Sequence, residues 1–288
     1  MPGRFTHFAA IDWSGAAGEH HSGIAVAVCG EGEAAPGLVR PKQRWSRLEA
    51  LRWITGEMPA GTLVGLDLGM SLPFIDKGAF FPGWSQSPAS ARELWALIDQ
   101  LCEADEHLAA SSFVEHAQAR RHFRHRGEQG DLFGGGSGRW RVTEHAQRDM
   151  GCNPYSNFNL VGAAQVGKSS LTGMRVLHRL SGRLPVWPVD PLPEAGSAVV
   201  EIYTSLAAIH AGRRKGRTKL RTHAELNAAL AALGSAPLKG RGPIEDHKSD
   251  AVLTAAWLRV VAHRPEYWAP RAMTPEIAMT EGWTFGAL

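Results

Sequence analysis

Two short apolar runs in this chain each end in a single aspartate and then reach a turn. The first is FAAI at residues 8–11, followed by Asp12 and the pair Ser14-Gly15, and the second is LVGL at 63–66, followed by Asp67. Apolar runs of this length bounded by turn residues predict buried strands. A third run, AVV at 198–200, ends in Glu201. Because a carboxylate is costly to bury unless it is paired or binds a metal, these acids are the first candidates for a site.

The other apolar positions predict an α/β chain. A strand at 23–29 follows the first strand through a tight hairpin, and a further strand is possible at 37–45. Capping patterns at Ser46, Ser90 and Thr222 predict helix starts, with the first helix stopping at Gly56. Apolar residues at helical spacing predict two more helices, at about 169–180 and 246–263.

The chain between the second and third acid has a looser pattern. Prolines interrupt it, and residues 115–148 are polar, basic and rich in glycine. We interpret residues about 70–194 as an insertion between core segments 4–69 and 195–264 that forms a lid over the acids. Within it, we expect residues 115–148 to be loosely packed and to face the acids. The prediction is a single domain over 1–265 with a surface-wrapping segment at 265–288.

Composition excludes several classes of protein. The apolar fraction of 44% is that of a globular protein, and the formal net charge is only +3. Three widely spaced cysteines form no metal or disulfide pattern, which favours a reducing, cytoplasmic location. No run has transmembrane length and no signal peptide is visible, so a membrane partner is not expected. Composition does not indicate an oligomeric state.

The last predicted helix adds a further acidic group. Asp246, His247 and Asp250 lie within its first turns, where the two carboxylates share a face and repel unless a cation separates them. Hard carboxylates suit Mg²⁺ or Mn²⁺, and two such ions about 3.5–4 Å apart would serve a phosphodiester displacement. We expect Asp12, Asp67, Asp246 and Asp250 to hold metal.

Other residues are assigned supporting roles in this hypothesis. Glu201 would be a further ligand or would orient the attacking water, and His247 and Lys168 would assist proton transfer and phosphate contact. Several acids also have a structural alternative: Asp246 as a helix N-cap, Asp12 and Asp67 as turn residues or helix caps, and Glu201 as the partner of an arginine inside the domain.

A basic, aromatic stretch is the predicted substrate contact. The segment RRHFRHR at 120–126, continued by RWR at 139–141, would bind a nucleic-acid backbone through Arg120, Arg121 and Arg124. A solvated, mobile loop is the alternative.

Two rival functions rest on phosphate-binding patterns. GAAQVGKS at 162–169 matches the P-loop pattern, although the residues before it make a poor buried strand. The turn after Asp12 would also suit the phosphate loop of actin-like ATPases and kinases, whose duplicated core leaves little room in 288 residues. A third alternative is a catalytically silent binding module whose acids are paired with arginine.

The order of the acids resembles a known family. Asp12 on the first strand, Asp67 after strand–strand–helix and Asp250 on the last helix resemble the arrangement of the ribonuclease H-like fold. The group of Asp246, His247 and Asp250 is most similar to the Holliday-junction-resolvase branch of that fold. The stretches AIDWSG (10–15), GLDLGMSLP (65–73), VGAAQVG (161–167), VEIY (200–203) and DA (250–251) resemble the domain-of-unknown-function 429 family, over about residues 7–260. The resemblance implies a mixed α/β sheet flanked by helices with a large helical and loop insertion. It also implies a metal-dependent nuclease, a hydrolase acting on nucleic acid of undetermined type.

Overall fold

A computed structural model describes residues 4–161 and 166–288 of the chain. Within these ranges the strands are β1 (His7–Asp12), β2 (His20–His21), β3 (Ala25–Gly30), β4 (Gly37–Leu38), β5 (Trp45–Ser46), β6 (Thr62–Asp67), β7 (Arg124–His125), β8 (Glu128–Gln129), β9 (Val186–Trp187) and β10 (Ala198–Glu201). The α-helices are α1 (Arg47–Arg52), α2 (Ala91–Leu101), α3 (Ser111–Glu115), α4 (Val142–Asp149), α5 (Val166–Leu180), α6 (Thr204–His210), α7 (His223–Ala232), α8 (Asp246–Val261), α9 (Pro265–Trp268) and α10 (Pro275–Thr280).

The main sheet is mixed. In the described ranges it has six strands in the order β4-β3-β1-β6-β10-β9. Strand β1 runs antiparallel to β3 and parallel to β6, and β10 runs parallel to both β6 and β9. The predicted α/β class, a mixed sheet flanked by helices, is therefore confirmed. The strand expected at 37–45 is reduced to the two residues of β4, because the chain turns away and β5 pairs with β2 instead.

Side chains of β1 alternate between two apolar layers, as a period of two requires. Phe8 and Ala10 face the layer that contains α6, α7 and α8, whereas Ala9 and Ile11 face the layer that contains α1, α2 and α5. All four are nearly inaccessible to solvent. Asp12 follows these four residues as the last, partly exposed residue of the strand, so it lies at the carboxyl edge of the sheet.

The predicted helix starts are present. Ser46 and Glu49 form a reciprocal capping box, and the hydroxyl groups of Ser90 and Thr222 each accept a hydrogen bond from an amide in the first turn. Gly56 does not stop the first helix, because a π-helical turn continues from α1 to Glu57.

The insertion between β6 and β10 differs from the expected lid. Its helices α2 and α5 pack against each other and supply much of one apolar layer, and its strand β9 extends the main sheet. The indole of Trp13 donates to the Thr172 hydroxyl of α5 over 3.1 Å, which ties the insertion to the first strand. The insertion is thus part of the core, because neither face of a sheet this apolar can remain exposed to water.

The C-terminal segment was expected to wrap the surface, and this expectation is wrong. Trp283 and Phe285 are fully buried, and the amide of Phe285 donates to the Glu201 carbonyl over 2.8 Å. The Glu281 carboxylate accepts hydrogen bonds from the amides of Phe74 and Val142. The tail therefore joins β10 to the insertion, since the transfer of large aromatic side chains from water favours burial.

The cysteines Cys29, Cys102 and Cys152 are buried thiols. In the part of the chain that the structure describes, no helix is long and apolar enough to cross a membrane.

Candidate active site

Asp12 and Asp67 lie side by side at the carboxyl edge of the main sheet. They are register partners in the parallel pair β1–β6, each following a run of buried residues. Neighbouring strands are about 4.8 Å apart, so the two side chains leave the sheet as close neighbours. The structure thus brings together the two aspartates that the sequence placed at strand ends.

The third acid comes from α8, which packs across β1 and β3. Asp250 is buried in the second turn of this helix, and its Oδ2 lies 2.5 Å from the Nζ atom of Lys219. Lys219 belongs to the loop between α6 and α7 and was not predicted as a site residue. The only sequence signal that could have found it is the dense run of cations at 213–221.

Asp12, Asp67, Asp250 and Lys219 lie close enough for the charge of one to shift the pKa of another. Burial raises the pKa of Asp12 well above its usual value, and the neighbouring Asp67 and Asp250 raise it further. Burial and then Asp250 raise the pKa of Asp67 to about 7, against the opposing effect of Lys219. Burial alone would lower the pKa of Lys219, but Asp250 and Asp12 outweigh it and raise that pKa. The arrangement is one of excess negative charge, partly neutralised by one ammonium group.

Asp246 and His247 lie at the rim of the group formed by Asp12, Asp67, Asp250 and Lys219. Asp246 is partly exposed, and its charge acts on both Asp250 and Lys219. It is the first residue of α8, while Glu245 occupies the N-cap position without a side-chain cap, so the N-cap alternative for Asp246 does not hold. The His247 Nε2 atom lies 3.0 Å from the Glu245 carboxylate, which turns the ring toward Glu245.

Glu201 is held in a buried ion-pair network. Its carboxylate accepts hydrogen bonds from the Met70 amide (2.6 Å), from the Arg141 guanidinium (2.6 and 2.9 Å) and from the Thr284 hydroxyl. Arg141 is fully buried and also binds Glu144 over 2.6 Å. Both oxygens of Glu201 are therefore occupied by protein donors, which favours the structural alternative over a role as metal ligand.

A small cavity opens beside Asp67. It has a volume of about 150 Å³, and its walls include Trp13, Tyr155, Asn157 and Tyr203. Tyr155 is 42% exposed, an unusual position for a large aromatic ring. A cavity with aromatic walls next to a carboxylate pair can hold a planar group beside the reacting atoms.

Lys168 and Asp67 line different cavities. It is partly exposed and lines a larger cavity of about 710 Å³ together with Gly15, Arg47 and His125. Residues 162–165, the first half of the P-loop-like motif, lie outside the described residues. Lys168 therefore borders a second cavity, whose lining residues do not include Asp67.

The predicted arginine patch does not reach the aspartates. Arg121 pairs with Asp131 over 2.6 Å, Arg124 lies in the β7–β8 hairpin, and Arg120 lines a separate surface cavity. None of the three lines the cavity beside Asp67.

The extension of the patch is also not a substrate contact. The guanidinium of Arg139 is buried against the carboxylate of Asp76 and the backbone carbonyl oxygens of the loop that follows β6. Arg141 is the centre of the ion-pair network with Glu201. The expectation of loose packing fails for this part of 115–148, because both guanidinium groups are paired inside the protein.

Comparison with known proteins gives no further guide. Neither the models of protein families, nor the curated proteins, nor the solved structures contain a match to this chain.

Proposed function

We propose that the chain is a nuclease of ribonuclease H-like fold that hydrolyses phosphodiester bonds with Asp12, Asp67 and Asp250. The observation that carries the proposal is the register pairing of Asp12 with Asp67, next to a helix that delivers Asp250. The strand order, with β1 antiparallel to β3 and parallel to β6, also supports it, together with the sequence resemblance described above.

The donor chemistry fits a hard divalent cation such as Mg²⁺ or Mn²⁺. The charges of Asp67 and Asp250 raise the cost of ionising Asp12, and a cation would relieve that cost. Among the described residues, no three histidine, cysteine or acidic side chains are grouped around one point, and Asp250 is held by Lys219. Asp12 and Asp67 would therefore hold the ion, with Asp250 joining them once Lys219 moves away. A bound ion would neutralise charge on the phosphate and supply an acidic water.

The chain's own groups contribute in three ways. Asp12 and Asp67 provide fixed negative charge at a position set by the sheet. Lys219 provides a positive charge that acts on both aspartates and would attract a phosphate when Lys219 leaves Asp250. The cavity beside Asp67 offers the ring of Tyr155 as a surface for a base.

The test is cleavage of a mixed panel of RNA and DNA oligonucleotides with Mg²⁺ or Mn²⁺. We expect Asp12→Asn to reduce cleavage by about 100-fold or more, because a fixed charge is lost where phosphate charge must be neutralised. The matched control is Asp131→Asn, the same chemical change at an exposed residue paired with Arg121. The melting temperature of Asp12→Asn without metal should be equal or higher, since like-charge repulsion is removed.

Two outcomes would contradict the proposal. If Asp12→Asn unfolds, the aspartate has a structural role. If a stable Asp12→Asn protein still cleaves like the control, the chemistry lies elsewhere, and Lys168 and Ser169 are the next residues to substitute.

A second candidate is nucleotide binding in the larger cavity. Its support is the volume of about 710 Å³ next to Gly15 and Lys168. Against it, residues 157–161 make only an isolated bridge with Arg124 instead of the buried strand that a P-loop requires. A rise in melting temperature with ATP that Lys168→Met abolishes would favour this candidate.

A further inference from the structure

The loop between α6 and α7 concentrates the positive charge of the molecule. Residues 213–221 have the sequence RRKGRTKLR, with six cations and no acid, whereas the whole chain has a formal charge of only +3. The rest of the chain is therefore net acidic. We refer to residues 213–221 as the cationic loop.

Most cations of this loop have no acidic partner among the residues that the structure describes. Arg213 lies 3.4 Å from Glu225, and Lys219 pairs with Asp250. The remaining four are exposed and form no ion pair with any residue that the structure describes: Arg214, Lys215, Arg217 and Arg221. Neighbouring like charges repel, so the loop is stabilised by any ligand that brings several negative charges at once.

The loop backbone is held at both ends. The Arg213 amide donates to the Ala208 carbonyl over 3.0 Å, and the Ser249 hydroxyl donates to the carbonyl of the buried Leu220 over 2.8 Å. The Arg221 amide donates to the Glu225 carboxylate over 2.9 Å. Anchored ends lower the ordering cost when the exposed side chains bind a ligand.

The cationic loop follows the rim of the candidate active site. At one end the Lys219 ammonium contacts Asp250. Further along, the side chain of Lys215 crosses Gly151 so closely that a Cβ atom on Gly151 would lie 2.1 Å from Lys215 Cδ. Gly151 precedes the segment that carries Tyr155 into the wall of the Asp67 cavity. The loop thus extends from the acid of α8 to the exposed aromatic wall.

We propose that the cationic loop binds the phosphate backbone of a nucleic-acid strand and leads it to the aspartates, an inference that rests on the proposed nuclease function. Several separated cations on an open rim suit a polymer of phosphates, whereas a single small phosphate would need convergent donors in an enclosed pocket. The exposed ring of Tyr155 beside them suits an unpaired base, because cations alternating with aromatic rings bind single strands. This surface replaces the arginine patch at 120–126 as the substrate contact.

Binding can be measured apart from catalysis in the Asp12→Asn protein without divalent cations. We would titrate a fluorescent single-stranded oligonucleotide of about 20 nucleotides between about 50 and 200 mM salt, and compare the slopes of log K against log salt. The loop variant R214Q/K215Q/R217Q should make this negative slope shallower by about 2, since each lost phosphate contact on a single strand removes about 0.7 from its magnitude.

The control variant K42Q/R44Q/R52Q removes the same charge from exposed cations near α1 and should leave the slope close to that of the parent. Melting curves of both variants establish that they fold. Equal slopes for the loop variant and the control would overturn the inference. Binding to anionic lipid vesicles is measured in parallel, and a loop variant that loses vesicle binding but keeps oligonucleotide binding would also overturn it.

The two proposals can fail separately. If the wild-type protein never cleaves but the loop variant loses oligonucleotide binding, the proposed binding surface is supported and the nuclease function is rejected. If the wild-type protein cleaves and the loop variant and the control variant have equal KM values, the nuclease function is supported and the role of the cationic loop is rejected.

Discussion

Gly15 determines how closely the loop after β1 approaches the first turn of α5. A Cβ atom at this position would lie 2.3 Å from the amide nitrogen of Ser169 and 2.6 Å from the Cβ atom of Lys168. Such distances are shorter than any van der Waals contact, so a side chain would push the loop away from the helix. Because Asp12 lies three residues earlier, this contact also affects where the candidate catalytic group is held.

We predict that Gly15→Ala destabilises the protein by about 1–3 kcal/mol, the usual cost of overpacking, because backbone atoms of α5 cannot rotate aside. Urea unfolding measures the change. The control is Gly23→Ala, whose Cβ would meet its nearest neighbour, Ser14, at an ordinary 3.5 Å. Equal stability of the two variants would show that the loop and α5 are free to separate.

At the scale of elements, the C-terminal tail is the connection that the polar and apolar pattern did not reveal. It places Trp283 and Phe285 in the layer with α8 and brings Thr284 to Glu201. The buried network of Arg141, Glu144 and Glu201 therefore holds three elements together: the start of α4, the end of β10 and the tail. Removal of one partner from such a network leaves an uncompensated buried charge.

We expect Trp283→Ala to cost about 3–5 kcal/mol, because a fully buried indole is removed from a packed layer. Met279→Ala is the control on the same tail, since that side chain is 50% exposed and its loss should change stability by less than about 0.5 kcal/mol. Denaturant unfolding distinguishes the two. A tail that merely covers the surface would give similar small losses for both substitutions.

At the scale of the whole molecule, buried titratable groups make stability depend on pH. Burial is the main cause that lowers the pKa of His21 and of His122 to about 4. Both side chains are almost inaccessible, whereas in the unfolded chain each titrates near 6.5. The unfolded state therefore takes up protons that the folded state does not, and the stability present above pH 6.5 is lost as the pH falls toward 4.

We predict that His122→Phe reduces this loss by up to about 1.4 kcal/mol per pH unit between pH 6.5 and 4. Phenylalanine suits the site because the His122 ring already packs edge-on against Phe81 at 5.3 Å. Urea unfolding at several pH values gives the difference between variant and wild type. That difference is the quantity to compare, since Asp67 and Glu144, whose pKa values are raised to about 7, act in the opposite direction. Parallel pH profiles would mean that His122 is protonated in the fold.

Features that depend on neighbours along the chain could be predicted from the sequence. Apolar runs ending in Asp12 and Asp67 located two central strands, and the caps at Ser46, Ser90 and Thr222 located helix starts, because burial of a strand and satisfaction of the first amides are local requirements. The α/β class followed from these elements.

The pairing of each charged side chain depends on the folded chain. Arg141, part of a basic run, is buried against Glu201, whereas Lys219, in a loop that the pattern left without an assignment, reaches Asp250. A charged residue in the sequence need not be exposed in the fold. The guanidinium of Arg141 would cost little free energy in water, but its burial requires a carboxylate partner. That partner, Glu201, lies 60 residues away in the chain. The strand ends could therefore be predicted from the sequence, but the cations that complete the site depend on contacts that only the folded chain creates.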